Sequence, residues 1–292
     1  MYYIRSILTQ IAGFLVLLLV AALPLYLYNL DGKVIFLPSN IPGEVLAFIK
    51  GLFTGESYYY MQGDRRRFLL FDLLSFFIVS YVYVSVSLAI VIVFSFIFGI
   101  WLWKKSEKWV NSILGFVGFI PDFILVLMLQ LSVTYIYKQT GMRVAKVASL
   151  SLEEPAILLP VLTLTILPLL YLVRSLNDRT FEVASEDYIL TAVSKGLTKR
   201  QIYLYHVTSN VLPFLKADIY KIVGITTANL FIIEHLYNTR GLTEILFEYP
   251  VNFGYQYNLV VISLLSFFIL YIAVLFTMKF IIFGIEKVLL RG

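Results

Sequence analysis

The sequence predicts an all-α, polytopic membrane protein with about six transmembrane helices, and three observations carry that prediction. Hydrophobic residues make up 60% of the chain and charged residues only 14%, with a mean hydropathy of +0.87, whereas soluble domains run near 45–50% apolar and about 25% charged. Six stretches approach the roughly 20 predominantly apolar residues that a bilayer-crossing helix needs. Against them stands one polar island, SEDYILTAVSKGLTKRQIYLYHVTSNVLP, from Ser185 to Pro213.

The first stretch, Ile7 to Tyr28, follows Arg5 and is longer than the 7 to 15 apolar residues typical of a secretion signal. No small-x-small site follows before Asn29, so it reads as an uncleaved anchor. Residues 1–72 are accordingly expected to form an N-terminal anchor and an extracytoplasmic segment, with residues 73–292 as the core domain. In that segment Tyr58, Tyr59 and Tyr60 read as an interfacial aromatic belt. The second stretch, Leu73 to Trp103, carries no charge and is long enough to tilt. The third, Ile113 to Tyr137, contains Pro121 and Asp122. An intramembrane carboxylate is costly and is by default a pathway residue; the preferred reading is that Asp122 caps or bonds the backbone that Pro121 frees. The fourth stretch, Ala156 to Val173, follows Glu153 and Glu154, whose charge suits a helix start. In the fifth, Ala217 to Leu236, Asp218 and Lys221 lie three apart and are expected to pair. Glu234 and His235 fall near its outer end. The sixth runs from Leu259 to Ile282.

The island reads as two short helices hinged at one glycine. Ser185 is the N-cap candidate, Glu186 and Asp187 suit the positive end of the first helix, and Lys195 suits its last turn. Gly196 fits the left-handed position after the helix, with Leu197 packing back. Thr198 and Gln201 have capping-box spacing, so a second helix starts at once and runs toward Pro213. A segment whose local signals agree this closely is built to be gripped. His206 and Asn210 lie four apart, but with two histidines in the chain and no companion carboxylate at ligand spacing they point to packing or hydrogen bonding, not to a metal.

Lysine and arginine placement sets orientation. Arg5; Lys104, Lys105 and Lys108; Arg174, Arg179, Lys195, Lys199 and Arg200; and Lys287 and Arg291 gather on one side, which puts both termini and the island in the cytoplasm. Lys138, Arg143, Lys146 and the Arg65-Arg66-Arg67 run oppose this assignment. Because the basic residues are scattered along membrane edges, the net charge of +5 reflects topology and not nucleic-acid binding. The chain has no cysteine, no G-x-x-x-x-G-K-[ST] phosphate loop, no H-E-x-x-H and no G-x-S-x-G. A catalytic role and a bound cofactor are therefore not expected. A secondary transporter driven by an ion gradient is the rival, with Asp122, Asp218 and Glu234 as its candidate ionisable groups, although the island has no second copy of the kind that inverted repeats produce.

The island closely resembles the signature loop of ABC importer permeases of the oligopeptide, dipeptide and nickel family, Y-[IV]-x-T-A-x-[AS]-K-G-L-[ST] followed by a basic stretch, H-x-x-x-N and a proline. Tyr188, Ile189, Thr191, Ala192, Ser194, Lys195, Gly196, Leu197, Thr198, His206 and Asn210 occupy the matching positions. Leu159 to Leu164 is similar to the family's L-P-A-L-T-L, Ile120 to Phe123 to its P-x-F segment, and Glu234-x-x-Tyr237 with Gly241-Leu242 to E-x-x-F-x-x-P-G-L. The sequence departs where Arg240 replaces proline, where Thr243 replaces glycine, and where Pro213 falls about one residue early.

The resemblance implies a type I importer permease fold in a bacterial or archaeal cell membrane, non-catalytic and without a cofactor. It implies half of a translocation pathway working by alternating access, in the company of a homologous sister permease, two ATP-binding subunits, an extracytoplasmic substrate-binding protein and membrane lipid. Residues at about 177–213 become the coupling loop that docks an ATPase subunit, and Glu234 gains a pathway or gating role. The cargo is expected to be peptides, with nickel and sugars also within the family's range.

Overall fold

The structure, a computed structural model, describes residues 2–30, 33–36, 41–104, 110, 112–113, 116, 120–151 and 153–290. It is an all-α, polytopic membrane protein. Among the described residues five helices are long and apolar enough to cross a bilayer, Leu69–Trp101, Asp122–Thr140, Leu158–Ala184, Lys199–Tyr237 and Tyr257–Val288, and a shorter apolar helix covers Ala12–Tyr26. The chain folds as two compact units, residues 1–78 with 241–268, and residues 79–240 with 269–292.

The first unit opens with α1 (Tyr2–Ala22), which tightens into a single 3-10 turn at Leu23–Tyr26. Pro24, with no N–H to donate, cannot extend the α-helical ladder of α1, so the helix changes type there. The antiparallel hairpin β1 (Leu27–Leu30) and β2 (Lys33–Phe36) follows, then α2 (Ile41–Thr54) and a second hairpin, β3 (Tyr59–Gln62) and β4 (Arg65–Phe68), in register Tyr59 to Phe68. Gly63 turns this hairpin at φ 61°, a backbone that glycine adopts without strain. Gln256 locks it in place like an extra strand residue: its Oε1 accepts from the Met61 amide and its Nε2 donates to the Met61 carbonyl, both at 2.7 Å. Asn258 donates to the carbonyls of Ser57 and Tyr59.

Tyr60 corrects the aromatic-belt reading of its cluster. It is 2% exposed, and its hydroxyl donates to Asp72 Oδ2 at 2.7 Å, while Arg67 pairs with Asp72 Oδ1 at 2.8 Å. Burial, then the Asp72 hydrogen bond, holds the Tyr60 hydroxyl protonated well above the ordinary phenol range. The ring is a structural plug, and a hydroxyl buried this deeply needs such a partner.

The helix α3 (Leu69–Ser95), in the second unit from Val79 onward, loosens into a π-turn at Phe96–Trp101. Next come α4 (Asp122–Thr140), α5 (Leu158–Ala184), α6 (Asp187–Ser194) and α7 (Lys199–Tyr237), the last with a π-turn at Ile202–Val207. A π-turn at Glu244–Glu248 leads to α8 (Tyr249–Phe253) in the first unit, and α9 (Tyr257–Leu290) closes the chain.

Several boundaries differ from the hydropathy reading. The third span starts at Asp122, with Pro121, extended at ψ 144°, as its N-cap residue; much of the expected stretch from Ile113 to Ile120 lies outside the described residues. The fourth runs on to Ala184, carrying Arg174 and Arg179 in its last turns. Pro213 does not end the island's second helix, which is continuous with the fifth span. The loss of one N–H, and of a partner for the Ser209 carbonyl, is offset by burial of Val211, Leu212 and Leu215. The acidic pair Glu153 and Glu154 lies ahead of α5 rather than in its first turn, and Glu154 meets Lys146 at 3.2 Å.

Gly99 sets the closest approach between α3 and α5. A Cβ there would fall 2.7 Å from the Leu176 Cβ, and the Gly99 carbonyl accepts from Thr180 Oγ1 at 3.0 Å. Overpacking a tight site costs about 1–3 kcal/mol. Gly99→Val should therefore lower the thermal midpoint of the detergent-solubilised protein, whereas Gly224→Ala, whose nearest neighbour is a Tyr271 ring carbon at 3.9 Å, should leave it unchanged or raise it.

Candidate functional site

The polar island folds as its local signals dictate, with one shift. Ser185 closes α5: its hydroxyl and its amide bond back to Phe181, and Glu186, extended at ψ 147°, is the N-cap residue of α6. Serine in this place satisfies a terminal carbonyl of the preceding helix, a use that competes with N-capping. At the other end of α6 the Leu197 amide bonds to the Ala192 carbonyl and the Gly196 amide to the Val193 carbonyl, the paired bonds of a Schellman motif. Gly196 sits at φ 76° with open space around the position of a Cβ, so the backbone alone demands glycine. Thr198 and Gln201 close the capping box: Thr198 Oγ1 accepts from the Gln201 amide and Gln201 Oε1 from the Thr198 amide.

Side-chain placement gives the loop two faces. Ile189 and Ala192 are buried beneath α6, while Tyr188, Leu190 and Val193 face outward, the last two 62% and 56% exposed. Lys195, Gly196, Thr198, Lys199 and Arg200 form an exposed rim, and Thr191 Oγ1 bonds back to the Asp187 carbonyl. Burial, then the neighbouring Glu186 charge, raises the Tyr188 hydroxyl above its usual pKa, so it stays a neutral donor. His206 and Asn210 do not join side chain to side chain. The Asn210 amide folds back to the His206 carbonyl at 2.7 Å and so steadies the π-turn. Among the described residues no His, Cys, Asp and Glu group could hold a metal ion.

The loop stands on helix ends that no local signal connects. Trp103 Nε1 donates to the Tyr203 hydroxyl at 2.7 Å, and the same indole packs edge-on to Phe181 at 5.9 Å. Arg179 pairs with Glu182 and lies over the Phe214 ring at 4.7 Å. Lys216 holds both oxygens of Glu286 at 2.7 and 2.9 Å. The expected Asp218–Lys221 pair is replaced: Asp218 accepts from Ser175 at 2.6 Å, and Lys221 reaches the Tyr171 hydroxyl at 3.0 Å and its ring face. Each charge finds a neighbour on α5 in place of its helix mate. Trp101 and Val288 line one groove, and Trp101 and Lys199 line another, so the ends of α3 and α9 and the island lie together on one face of the second unit. Lys104 and Lys287 flank that face; Lys105 and Lys108 lie outside the described residues.

The two carboxylates singled out from sequence lie away from the loop. Asp122 is half-buried in the first turn of α4, where a negative charge suits the helix dipole. Glu234 is 2% exposed on α7 and accepts from Ser80 of α3. Around it the C-terminal end of α7 is bolted down: Tyr237 Oη meets Thr163 Oγ1 at 2.9 Å, the Ser149 amide donates to the Tyr237 carbonyl, and Gln130 Nε2 bridges the carbonyls of Val147 and Leu236. Arg240 holds φ 57°, a backbone closed to the proline of the pattern it departs from.

No family model matches the chain. It is 32% identical over 94 residues to the oligopeptide transport system permease protein OppB of Mycoplasma pneumoniae, covering 32% of this chain and 24% of that protein. It is 32% identical over 103 residues to the dipeptide transport system permease protein DppB of Escherichia coli strain K12, covering 33% and 30%, and 32% identical over 95 residues to DppB of Haemophilus influenzae, covering 32% and 26%. The match thus spans less than a third of the length of each of these curated relatives, all of which are peptide transport permeases.

Two outcomes test this geometry. Gly196→Val should strain the left-handed backbone by about 1–2 kcal/mol and speed hydrogen exchange at the Leu197 and Gln201 amides about tenfold, while Gly196→Asn, which tolerates that backbone, should retain most of the protection. Single cysteines replacing Lys104, Lys199 and Lys287 in this cysteine-free chain should all react with an impermeant thiol reagent from the same side; a split among the three would contradict the shared face.

Proposed function

We propose that the chain is a membrane permease subunit of an ATP-driven ABC importer, with peptides as its cargo. The observation that carries this reading is the capped two-helix loop, which turns apolar Leu190 and Val193 outward while Tyr203 ties it to Trp103 beyond the end of α3. An exposed apolar pair on a stiff element fits a protein partner. The peptide-permease relatives support both the class and the cargo.

In this reading the loop faces the cytoplasm and seats in an ATPase subunit. Tyr188, Thr191 and Lys195 meet the partner; Ala192, Gly196, Leu197 and Thr198 hold the shape; His206 and Asn210 stiffen the stem. ATP-driven closure of two such subunits moves the loop as a rigid body. Through Trp103–Tyr203 and Thr180–Gly99 the displacement reaches α3 and α5, and the helices rock between inward-open and outward-open states. A homologous sister permease completes the pathway, and an extracytoplasmic binding protein delivers the cargo. Glu234 acts as a gate near the outer end, and Asp122 borders the pathway.

Reconstitution separates this account from an ion-gradient carrier, which the buried Glu234 would otherwise suit. Liposomes holding this chain alone under imposed proton and sodium gradients should take up no peptide. Uptake should begin only with the sister permease, ATPase subunits, binding protein and ATP, and in that system Gly196→Val should reduce it at least tenfold. Gradient-driven uptake by the chain alone would overturn the proposal.

A further inference from the structure

Two hollows of the second unit meet at Trp101, and their chemistry differs sharply. One, about 580 Å³, is an apolar groove between the end of α3 and the end of α9, with Phe96, Ile97, Ile281, Gly284 and Ile285 in its walls. The other, about 430 Å³, lies at the start of α7 and is lined by Lys199, Arg200, Tyr203 and Leu204. Trp101 is 47% exposed and belongs to both. Two cations therefore line a hollow that shares Trp101 with an apolar groove, an indole suited to the membrane interface.

The geometry points to a binding site for one anionic phospholipid, its phosphate against Lys199 and Arg200 and one acyl chain along the groove. Tyr203 adds a directed donor: its hydroxyl oxygen already accepts from Trp103 Nε1, which leaves its own proton for a phosphate oxygen. Basic pockets beside transmembrane helices select anionic headgroups in this way. The groove stays open because Gly284 carries no side chain and nothing lies within 4 Å of where a Cβ would be. The bound lipid would tie the first turn of α7, immediately after the capping box, to the leaflet beside it. This inference rests on the membrane reading of that face and not on ATPase docking, so it can fail or hold independently of the importer proposal.

The test uses the full chain in phosphatidylcholine nanodiscs, titrated with brominated phosphatidylglycerol or brominated phosphatidylcholine. The signal is the part of the tryptophan quenching that is lost in Trp101→Phe. Brominated phosphatidylglycerol should quench at a mole fraction about thirtyfold below that of the neutral lipid, the preference expected from two basic residues near the headgroup. The double variant Lys199→Gln, Arg200→Gln should abolish that preference while leaving residual quenching by both lipids. Gly284→Leu, which fills open space and strengthens a helix position, should weaken quenching by both. Inorganic phosphate in excess should not compete; if it did, the hollow would be a free-anion site and the lipid assignment would fall. Equal quenching by the two lipids in the unsubstituted protein, as expected if an acidic protein segment is the occupant, would overturn it as well, as would a preference that survives both variants.

Discussion

A hydrocarbon core leaves no peptide group unpaired, and the site takes its shape from how the chain meets that demand where its helices are irregular. Each π-turn in the second unit widens the backbone, and in each a threonine hydroxyl reaches a carbonyl of the turn: Thr180 bonds to Gly99 and Thr208 to Tyr203 at 2.8 Å. The first of these bonds also draws α3 onto α5, where only glycine leaves room. Elsewhere in the spans Thr163, Thr165, Thr226 and Thr277 bond back to carbonyls four residues earlier, and Thr163 and Thr277 also meet the hydroxyls of Tyr237 and Tyr81 across helices. Other polar groups cross between helices, such as Ser80 with Glu234 and Tyr83 with the Ala156 carbonyl.

The stiffness of the loop is assembled from modest terms. A capping box and a Schellman turn are each worth about 1 kcal/mol, and the exposed Arg179–Glu182 pair adds little because water screens it. The proposed coupling role asks for more than caps: it needs anchors at the base of the loop. Trp103 and Tyr203 are a hundred residues apart in sequence and 2.7 Å apart in space, and α7 runs on through Pro213 without a break. A loop held only by its own hydrogen bonds could turn without moving anything else.

The helical class, most spans, the hinge at Gly196 and the box of Thr198 and Gln201 were legible because each is written in neighbouring residues or in hydropathy over about 20 of them. Where two local rules compete, the sequence misled: Ser185 could cap forward or close backward, and tertiary packing of α5 chose the second. Pro213 looked like a stop because propensity ignores the buried side chains that hold the helix together around it. Asp218 and Lys221 looked like a pair because helix geometry was known and the neighbouring helix was not; Ser175 and Tyr171 were closer. Tyr60 sat among exposed tyrosines in sequence, and only the folded hairpin shows that its hydroxyl is spent on Asp72. The platform of Trp103, Phe181 and Phe214 left no sequence signal, since aromatic residues are common throughout this chain.

Seating of an ATP-hydrolysing partner on the outward face of α6 can be decided by photo-crosslinking from position 190 in native membranes, followed by mass spectrometry of the adduct. A single dominant adduct is expected, with a soluble protein that carries a G-x-x-x-x-G-K-[ST] phosphate loop, lost when the probe is moved to the buried position 189. Adducts with lipid alone, or with no ATP-binding protein at any position along α6, would contradict it.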